Sequence, residues 1–507
     1  MAAPPRSIAP GRRFCVKRYR QKPPDVVYCA YALKKQGKNN AATLRQGGTM
    51  LAIPARLKPY IGSRNFYRQA LNVMIPVVIQ QLINTLFNVV DNVMVGGIGA
   101  LAMSAVTAAN KPYLIYNGFF FGMAGAGGLL ISQYYGAKEQ DTCQGLFALQ
   151  LVLGLVSSLL FGAVMFLLPR PIMEIFLQDP ETVQSGVEYM QVVCFSYIPV
   201  AVSSVCIFSM RSLGLNKMPM LVGLMAMLAN ACFNYVFIFG LGPVPAMGVV
   251  GAALGTLLSR TLEMVFYLVV LARRRAFFSL NLAPIRRLTG SVLRSFAWKA
   301  LPLTFNEILF NLGFNIYFWT YARLDEAAIP AVTIADQAMQ IGVVISVGMA
   351  SAVSVMIGTE LGAGCFAQAK SNCKKLLGLV CAISLLCTAI GLCAAFALPY
   401  AFDVPANLRG LATTLTLIYC LFYLPNAVYA FCFYCLRAGG DTRGATLLDS
   451  GYMWLVPVPA SLLMGWLGVG TIPLTLALTL TTLLMNLKVI PALIVLRKGK
   501  WVRNITV

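Results

Sequence analysis

The chain has 507 residues, of which 58% are hydrophobic and only 11% are charged, and it carries a net charge of +23. A soluble domain contains about 25% charged residues because its surface must be hydrated. Lipid must therefore solvate most of this chain, which excludes a soluble enzyme, a nucleic-acid-binding module and a disordered protein. The excess positive charge is expected in loops on one side of a membrane.

The N-terminal segment differs from the rest of the chain. Residues 1–70 contain 15 Lys and Arg against one acid, Asp25, and no apolar run long enough to span a bilayer. We interpret residues 1–65 as a basic, disordered cytoplasmic segment, and not as a signal peptide. Two alternatives stay open: translation that starts at Met50, and a basic arm held near anionic lipid.

From residue 71 onward, apolar runs of about 20 residues or more alternate with short polar breaks. Each run can cross a hydrocarbon core about 30 Å thick as a helix. Backbone groups at that depth find no water, so a helix must satisfy them internally. The twelve predicted transmembrane segments are 71–95, 104–134, 146–168, 187–210, 219–240, 248–272, 298–322, 329–361, 376–398, 411–436, 446–467 and 471–496.

The loop charges predict the orientation of these segments. Basic residues follow the fourth, sixth and eighth segments and fill the C-terminal tail; Arg211 and Lys217, for example, follow the fourth. The intervening loops are neutral or mixed, and residues 96–103 carry no charge. Both termini are therefore predicted to be cytoplasmic. The most basic loop divides the chain into an N-lobe, 66–272, a cytoplasmic connection, 273–297, and a C-lobe, 298–500.

The two halves resemble each other at a constant offset of 226 residues. The matches include Pro76 with Pro302, Gly122-x-Ala124-x-Ala126 with Gly348-x-Ala350-x-Ala352, Gly136-Ala137 with Gly362-Ala363, Tyr197 with Tyr423, and Arg211 with Arg437. Each half has six predicted helices, so both repeats run in the same direction and their interface is expected to hold a substrate site. The pattern predicts a two-lobed secondary transporter, and the sequence has no Walker A motif for ATP hydrolysis.

With these motifs in view, residues 65–500 resemble the multidrug and toxic compound extrusion (MATE) family. The motifs that carry the resemblance are Pro76 followed by Asp91, the Gly122 to Gly136 block, Asn230-x-x-x-Asn234, Gly248 to Thr256, Asn306-Glu307 and Arg437-Ala-Gly-Gly-Asp441-Thr-Arg443. The resemblance implies an all-α membrane protein with 12 transmembrane helices, in two six-helix lobes that form a V around a central cavity. It also implies a multi-pass transporter of the cell membrane that exports amphipathic, often cationic, drugs or metabolites in exchange for Na⁺ or H⁺.

Ionisable residues inside the predicted helices are functional candidates because an ionised group at that depth is costly. In the N-lobe, the resemblance assigns cation or proton coupling to Asp91, Asn230, Asn234 and Thr256. Relatives often carry Asp at the position of Asn234, so Asp91 is left as the main titrating group. We also place Asn88, which lies on the helical face of Asp91, in the substrate cavity.

In the C-lobe, the resemblance assigns coupling to Glu307 and Asp441, although Asp441 also suits a helix cap. Our hypothesis couples protons through Asp91 and Na⁺ through Glu307. The further cavity candidates are Lys111, Asp336, Gln337, Phe87 and Tyr317. Lys111 can pair with Asp91, face the cavity, or extend to the membrane interface. Arg260 and Glu263 are expected to pair with each other.

Other functions remain as alternatives. A lipid-linked saccharide flippase of the same wider superfamily is the second transport hypothesis. An enzyme is not expected, since the chain has no His and no metal-binding motif, and its 14 Cys lie mostly in apolar runs. We expect no cofactor beyond the coupling ion, no metal beyond Na⁺ at Asp91 or Glu307, and no nucleic acid. The expected partners are a small-molecule substrate and membrane lipid, and we expect a monomer.

Overall fold

The computed structural model describes residues 58–177, 179–273, 278–325, 328–401, 406–468 and 470–504. The predicted N-terminal segment 1–65 thus lies almost wholly outside the described residues. The described residues form helices and contain no β-strand, with one isolated bridge between Leu241 and Val244. The protein is an all-α membrane protein, as predicted.

The first half runs from Arg64 to Arg273, and its described residues form nine helices. They are α1 (Arg64–Gly96), α2 (Ala100–Ala109), α3 (Lys111–Gly136), α4 (Gln140–Leu167), α5 (Pro169–Glu174), α6 (Pro180–Val193), α7 (Tyr197–Ser212), α8 (Lys217–Phe239) and α9 (Gly248–Arg273). The predicted second segment is interrupted at Asn110, and the predicted fourth is divided by a 3₁₀ turn, Cys194–Ser196.

The second half begins at Gly290, after a 3₁₀ turn at Ala283–Arg287. Its helices are α10 (Gly290–Leu324), α11 (Ile329–Val353), α12 (Thr359–Gly362), α13 (Phe366–Ala401), α14 (Ala406–Leu421), α15 (Tyr423–Ala438), α16 (Thr442–Thr446), α17 (Tyr452–Leu455), α18 (Pro457–Leu467), α19 (Leu474–Leu487) and α20 (Val489–Lys498). Two π-helical turns, Ser354–Gly358 and Leu447–Gly451, continue α11 into α12 and α16 into α17.

The described helices provide ten candidate membrane spans by length and apolarity, and the bent pair α14 and α15 provides an eleventh. The remaining predicted segment, 298–322, lies in α10, which is 35 residues long but contains several polar side chains, including Asn306 and Glu307. Every predicted segment therefore coincides with a helix or a run of helices.

Several predicted loop charges lie inside helices. Lys370, Lys374 and Lys375 fall in the first turns of α13, Arg294 falls in α10, and Arg211 falls in the last turn of α7. These residues were predicted to lie in loops because the predicted segments ended where the apolar runs end. A helix continues beyond the hydrocarbon core wherever its backbone hydrogen bonds can be completed, so charge alone does not end it.

The segment that connects the halves is ordered where it is described. Phe278 stacks on Phe147 of α4 with ring centroids 4.6 Å apart. The side chain of Gln144 donates to the Ser279 carbonyl at 2.6 Å and accepts from the Ser279 N–H at 2.9 Å. This part of the predicted loop 273–297 is thus attached to the first half.

The backbone repeats at the same offset as the sequence. Pro76 lies within α1 and Pro302 within α10. The turns after α7 and α15 both contain a glycine in the left-handed region, Gly214 at φ +76° and Gly440 at φ +81°. Side chains with a Cβ rarely adopt this conformation, so glycine suits both turns.

The N-terminal part of the first helix of each half packs in the core of the other half. Phe66, Ala70 and Met74 of α1 pack in a buried cluster with α13 and α15. The repeat-related residues of α10, Val292, Phe296 and Ala300, pack in the buried cluster of the first half. The helices α1 and α10 therefore join the two halves at repeat-related positions.

Two glycines allow the halves to approach closely. A Cβ on Gly136 of α3 would overlap the backbone carbonyl of Thr359, and a Cβ on Gly362 of α12 would overlap that of Gln133. The two contacts are related by the repeat, since Gly362 and Thr359 stand 226 positions after Gly136 and Gln133. Nearby, Gln133 Nε2 donates to the Ala438 carbonyl at 2.5 Å, which adds a hydrogen bond between the halves.

We predict that Gly136→Ala and Gly362→Ala each destabilise the folded protein, by about 1–3 kcal/mol, because the methyl group meets backbone that cannot rotate away. Thermal unfolding of purified protein in detergent measures the effect. Gly410→Ala is the matched control, since open space surrounds that helical glycine. Equal melting temperatures for the Gly136, Gly362 and Gly410 variants would contradict the close contact.

Candidate functional site

The first polar network joins α1, α8 and α9. Asn234 Nδ2 donates to Asp91 Oδ1 at 2.7 Å and to Asn230 Oδ1 at 3.3 Å. Asn230 Nδ2 donates in turn to Ser259 Oγ on α9 at 3.4 Å. Because Asn230 and Asn234 are one turn apart, both face the same neighbouring helices. The structure thus brings three of the predicted coupling residues into direct contact.

This network leaves oxygen atoms available. Among the described residues, Asn234 Oδ1 and Thr256 Oγ1 are buried without a hydrogen-bond partner. A Cβ on Gly255 would overlap Asn234 Oδ1, so the absence of a side chain there makes room for the amide. Carboxylate, amide and hydroxyl oxygens suit a hard cation, and a carboxylate also accepts a proton.

A neighbouring ion pair sets the charge around Asp91. Arg260 and Glu263 of α9 pair at 3.0 Å between Nη1 and Oε2, as predicted from their spacing. The Arg260 guanidinium also lies 4.4 Å from the centroid of the Phe87 ring. Phe87, which we expected in the cavity wall, is therefore buried beneath a cation. Because the charges of Arg260 and Glu263 cancel, the three side chains together carry a net charge of −1 when Asp91 is ionised.

A second network lies in the other half and is centred on Asp449 and Lys488, which were not among the predicted site residues. Lys488 Nζ donates to Asp449 Oδ1 at 2.7 Å, and Asn306 Nδ2 donates to Asp449 Oδ2 at 3.1 Å. Asp449 and Lys488 are only 5% and 3% exposed. The Lys488 ammonium also lies 4.0 Å from the centroid of the Tyr429 ring. Asp449 is thus neutralised by a cation that belongs to the chain.

Glu307 is also placed beside a basic side chain. Its Oε1 lies 3.8 Å from Nη1 of Arg437, the arginine of the Arg-Ala-Gly-Gly-Asp motif. At the repeat-related position, Arg211 Nη2 donates to Gln80 Oε1 at 2.8 Å. The two arginines therefore occupy related places, but one faces an acid and the other a neutral amide.

A cavity lies between the halves at these arginines, with an empty volume of about 670 Å³ that continues into open solvent. Twelve of its fourteen lining residues form six pairs that stand 226 positions apart: Phe121 and Val347, Gly125 and Ser351, Gly128 and Ser354, Phe208 and Tyr434, Arg211 and Arg437, and Ser212 and Ala438. The cavity thus lies where the two repeats meet, near the helix ends predicted to face the cytoplasm.

The remaining candidates are dispersed. Asp441 caps α16 and accepts a hydrogen bond from the Gly444 N–H at 3.1 Å, which confirms that it serves as a cap. Lys111 is exposed at the start of α3, and among the described residues no ion pair joins it to Asp91. Gln337 is exposed and Asp336 is half-buried on α11.

Tyr317 and Asn88 were also predicted to line the substrate cavity. Tyr317 packs in a buried cluster of the second half, so its aromatic ring is not exposed in a cavity wall. The side chain of Asn88 lies outside the described residues.

The sequence contained a signal for the residues that were missed. Asp449 and Lys488 are ionisable residues within the predicted segments 446–467 and 471–496, which is the pattern of an intramembrane site. They have no ionisable repeat partners, because Gly223 and Leu262 stand 226 positions earlier. A search guided by the repeat therefore overlooked them.

The sequence model of the MatE family matches residues 76–236 and 302–455, and the chain belongs to this family. The two matched blocks begin 226 residues apart, at the offset of the internal repeat.

Named relatives share about a quarter of their residues with the chain. The "Probable multidrug resistance protein NorM" of Pseudomonas aeruginosa is 24% identical over 406 residues, which cover 77% of this chain and 82% of the relative. The "Multidrug resistance protein MdtK" of Yersinia pestis is 25% identical over 410 residues, which cover 78% of this chain and 87% of the relative. These relatives are named for multidrug resistance, which is consistent with a non-enzymatic transporter.

Solved structures share the fold. A MATE structure in a straight conformation has a TM-score of 0.78 at 18% identity, over 88% of this chain and 98% of that chain. An outward-facing multidrug resistance MATE transporter has a TM-score of 0.75 at 19% identity, over 87% of this chain and 96% of that chain. At this level of identity the similarity establishes the fold alone.

We predict that Lys488→Met destabilises the protein by about 3–5 kcal/mol, because it leaves the Asp449 carboxylate buried and unpaired. The double variant Asp449→Asn with Lys488→Met should regain most of that loss, since no uncompensated charge remains. Thermal unfolding of both variants measures the coupling.

The exposed pair Arg170 and Glu174 supplies the control for this cycle, because Glu174→Gln should change stability by less than about 1 kcal/mol. Equal destabilisation by Lys488→Met and by the double variant would show that the buried pair is not energetically coupled.

Proposed function

We propose that the protein is a secondary active exporter of amphipathic, often cationic, drugs or metabolites, driven by entry of H⁺ or Na⁺ at Asp91. The observation that carries this proposal is the difference between the acids of the two halves. Asp91 is held by the neutral amide of Asn234, whereas Glu307 and Asp449 each lie beside a basic side chain. The names of the relatives support the substrate class.

An exchanger requires that ion and substrate favour opposite conformations of one two-state equilibrium. A proton or Na⁺ at Asp91 would change the charge between α1 and α8, and α1 also packs against the second half. The ion could therefore alter how the halves meet. The contact with Arg437 opposes cation binding at Glu307, so we place the coupling ion at Asp91.

We predict that Asp91→Asn abolishes transport driven by a pH gradient, because an amide cannot bind and release the proton. The assay measures transport of a cationic dye, such as rhodamine B ethyl ester, by purified protein in proteoliposomes. A pH gradient and a Na⁺ gradient are imposed separately. Asp141→Asn is the control, since Asp141 lies at the surface in an exposed pair with Arg287.

Asp336→Asn provides a second comparison, because Asp336 is the half-buried acid of α11 and lies beside Tyr419. If Asp91→Asn transports at the wild-type rate under a pure pH gradient while Asp336→Asn does not, coupling belongs to the second half. If the wild-type protein transports the dye under neither gradient, the proposed exporter function itself is wrong.

The cytoplasmic position of both termini is also part of the proposal, and it rests on the basic loops. A green fluorescent protein fused after residue 507 should fluoresce, and alkaline phosphatase fused there should be inactive. The reverse pattern would contradict the cytoplasmic position of the C-terminus.

A further inference from the structure

The cavity between the halves contains two guanidinium groups, one from each repeat. Arg211 and Arg437 lie in the last turns of α7 and α15 and line the same cavity. Arg437 is 8% exposed and Arg211 is half-buried, so both are largely removed from bulk water. An arrangement that places two guanidinium groups at one cavity requires negative charge or hydrogen-bond acceptors nearby.

The chain supplies only part of that compensation. Arg211 donates to Gln80, which is neutral, and among the described residues its buried Nε has no hydrogen-bond partner. Arg437 lies 3.8 Å from Glu307, whereas a direct charge-assisted hydrogen bond is about 2.7–2.9 Å long. Among the described residues, one carboxylate at a long distance therefore balances these two cations, and Arg211 Nε keeps an unused donor.

The rest of the lining is largely apolar. Phe121, Leu129, Phe208, Val347 and Tyr434 contribute hydrophobic or aromatic surface to the same cavity. A ligand that suits these walls has an apolar body, and a ligand that suits the arginines has an anionic group. A purely cationic compound satisfies only the first requirement.

We propose that this cavity binds the carboxylate of an amphipathic zwitterion or anion between Arg211 and Arg437. A carboxylate presents two acceptor oxygens that match the paired donors of a guanidinium. It would give Arg211 a charged partner in addition to Gln80 and offer Arg437 a nearer acceptor than Glu307. The inference rests on the proposed export function and adds a substrate class to it.

The matched probes are rhodamine B, which carries a free carboxylate, and its ethyl ester, which is a cation of nearly the same shape. Binding is measured by fluorescence anisotropy with the full chain in phosphatidylcholine nanodiscs, so that no anionic lipid competes. Arg211→Gln and Arg437→Gln should each weaken rhodamine B binding about tenfold or more, because each removes a charged donor. Binding of the ester should change less than about twofold.

Three further variants make the test specific. Arg211→Lys should retain more rhodamine B binding than Arg211→Gln, since the charge is kept. Arg323→Gln should change neither dye, because Arg323 is exposed and lies against Trp319 and Trp466, away from the cavity. Arg211→Gln decides the outcome if Arg437→Gln does not fold, since Arg211 is the less buried residue.

Equal weakening of both dyes by the Arg→Gln variants would overturn the proposal, since it would mean that the arginines only support the fold. Rhodamine B binding that survives both variants, or that is absent from the wild-type protein, would overturn it as well. Gradient-driven transport of the ester by the wild-type protein would persist in each of these cases if the exporter function is correct. Failure of this inference is thus distinguishable from failure of the proposed function.

Discussion

The two halves of the protein approach each other closely, with helix backbone of one half against helix backbone of the other. Helices in lipid gain little from hydrophobic attraction, so close packing and interhelical hydrogen bonds must hold them together. Gly136 and Gly362 provide that packing, because each lets a helix rest on backbone of the opposite half. Since Gly136 and Gly362 are related by the repeat, the halves meet symmetrically, and the cavity lined by Arg211 and Arg437 lies at their junction.

The polar networks break this symmetry. In the first half, Asp91 is bonded to the neutral amide of Asn234, while Arg260 and Glu263 neutralise each other. In the second half, Asp449 and Lys488 form a pair within the chain. The cation beside Asp449 is part of the chain, whereas the amide beside Asp91 carries no charge. Under the function we propose, a mobile cation would therefore change the net charge in the first half alone.

The first helix of each half links the junction between the halves to the polar networks. The beginning of α1 packs with the second half and the beginning of α10 packs with the first, so the helix that carries Asp91 touches both cores. A change in charge at Asp91 acts on a helix that both halves share. The proposed coupling needs no separate path between Asp91 and the junction, because one helix contributes to both.

The all-α membrane class, the positions of the twelve segments and the repeat could be predicted from the sequence, because these depend on local apolarity and on spacing along the chain. The sequence also indicated the Arg260–Glu263 pair and the Asp441 cap, which involve neighbours within one turn. The contacts between residues that are distant in the chain became known from the three-dimensional structure. The pairing of Asp449 with Lys488, the contact of Glu307 with Arg437 and the burial of Phe87 and Tyr317 join different helices or depend on what surrounds a helix. The rotation of a helix about its axis and the depth at which it packs determine these contacts, and both are set by the packing of all the helices together.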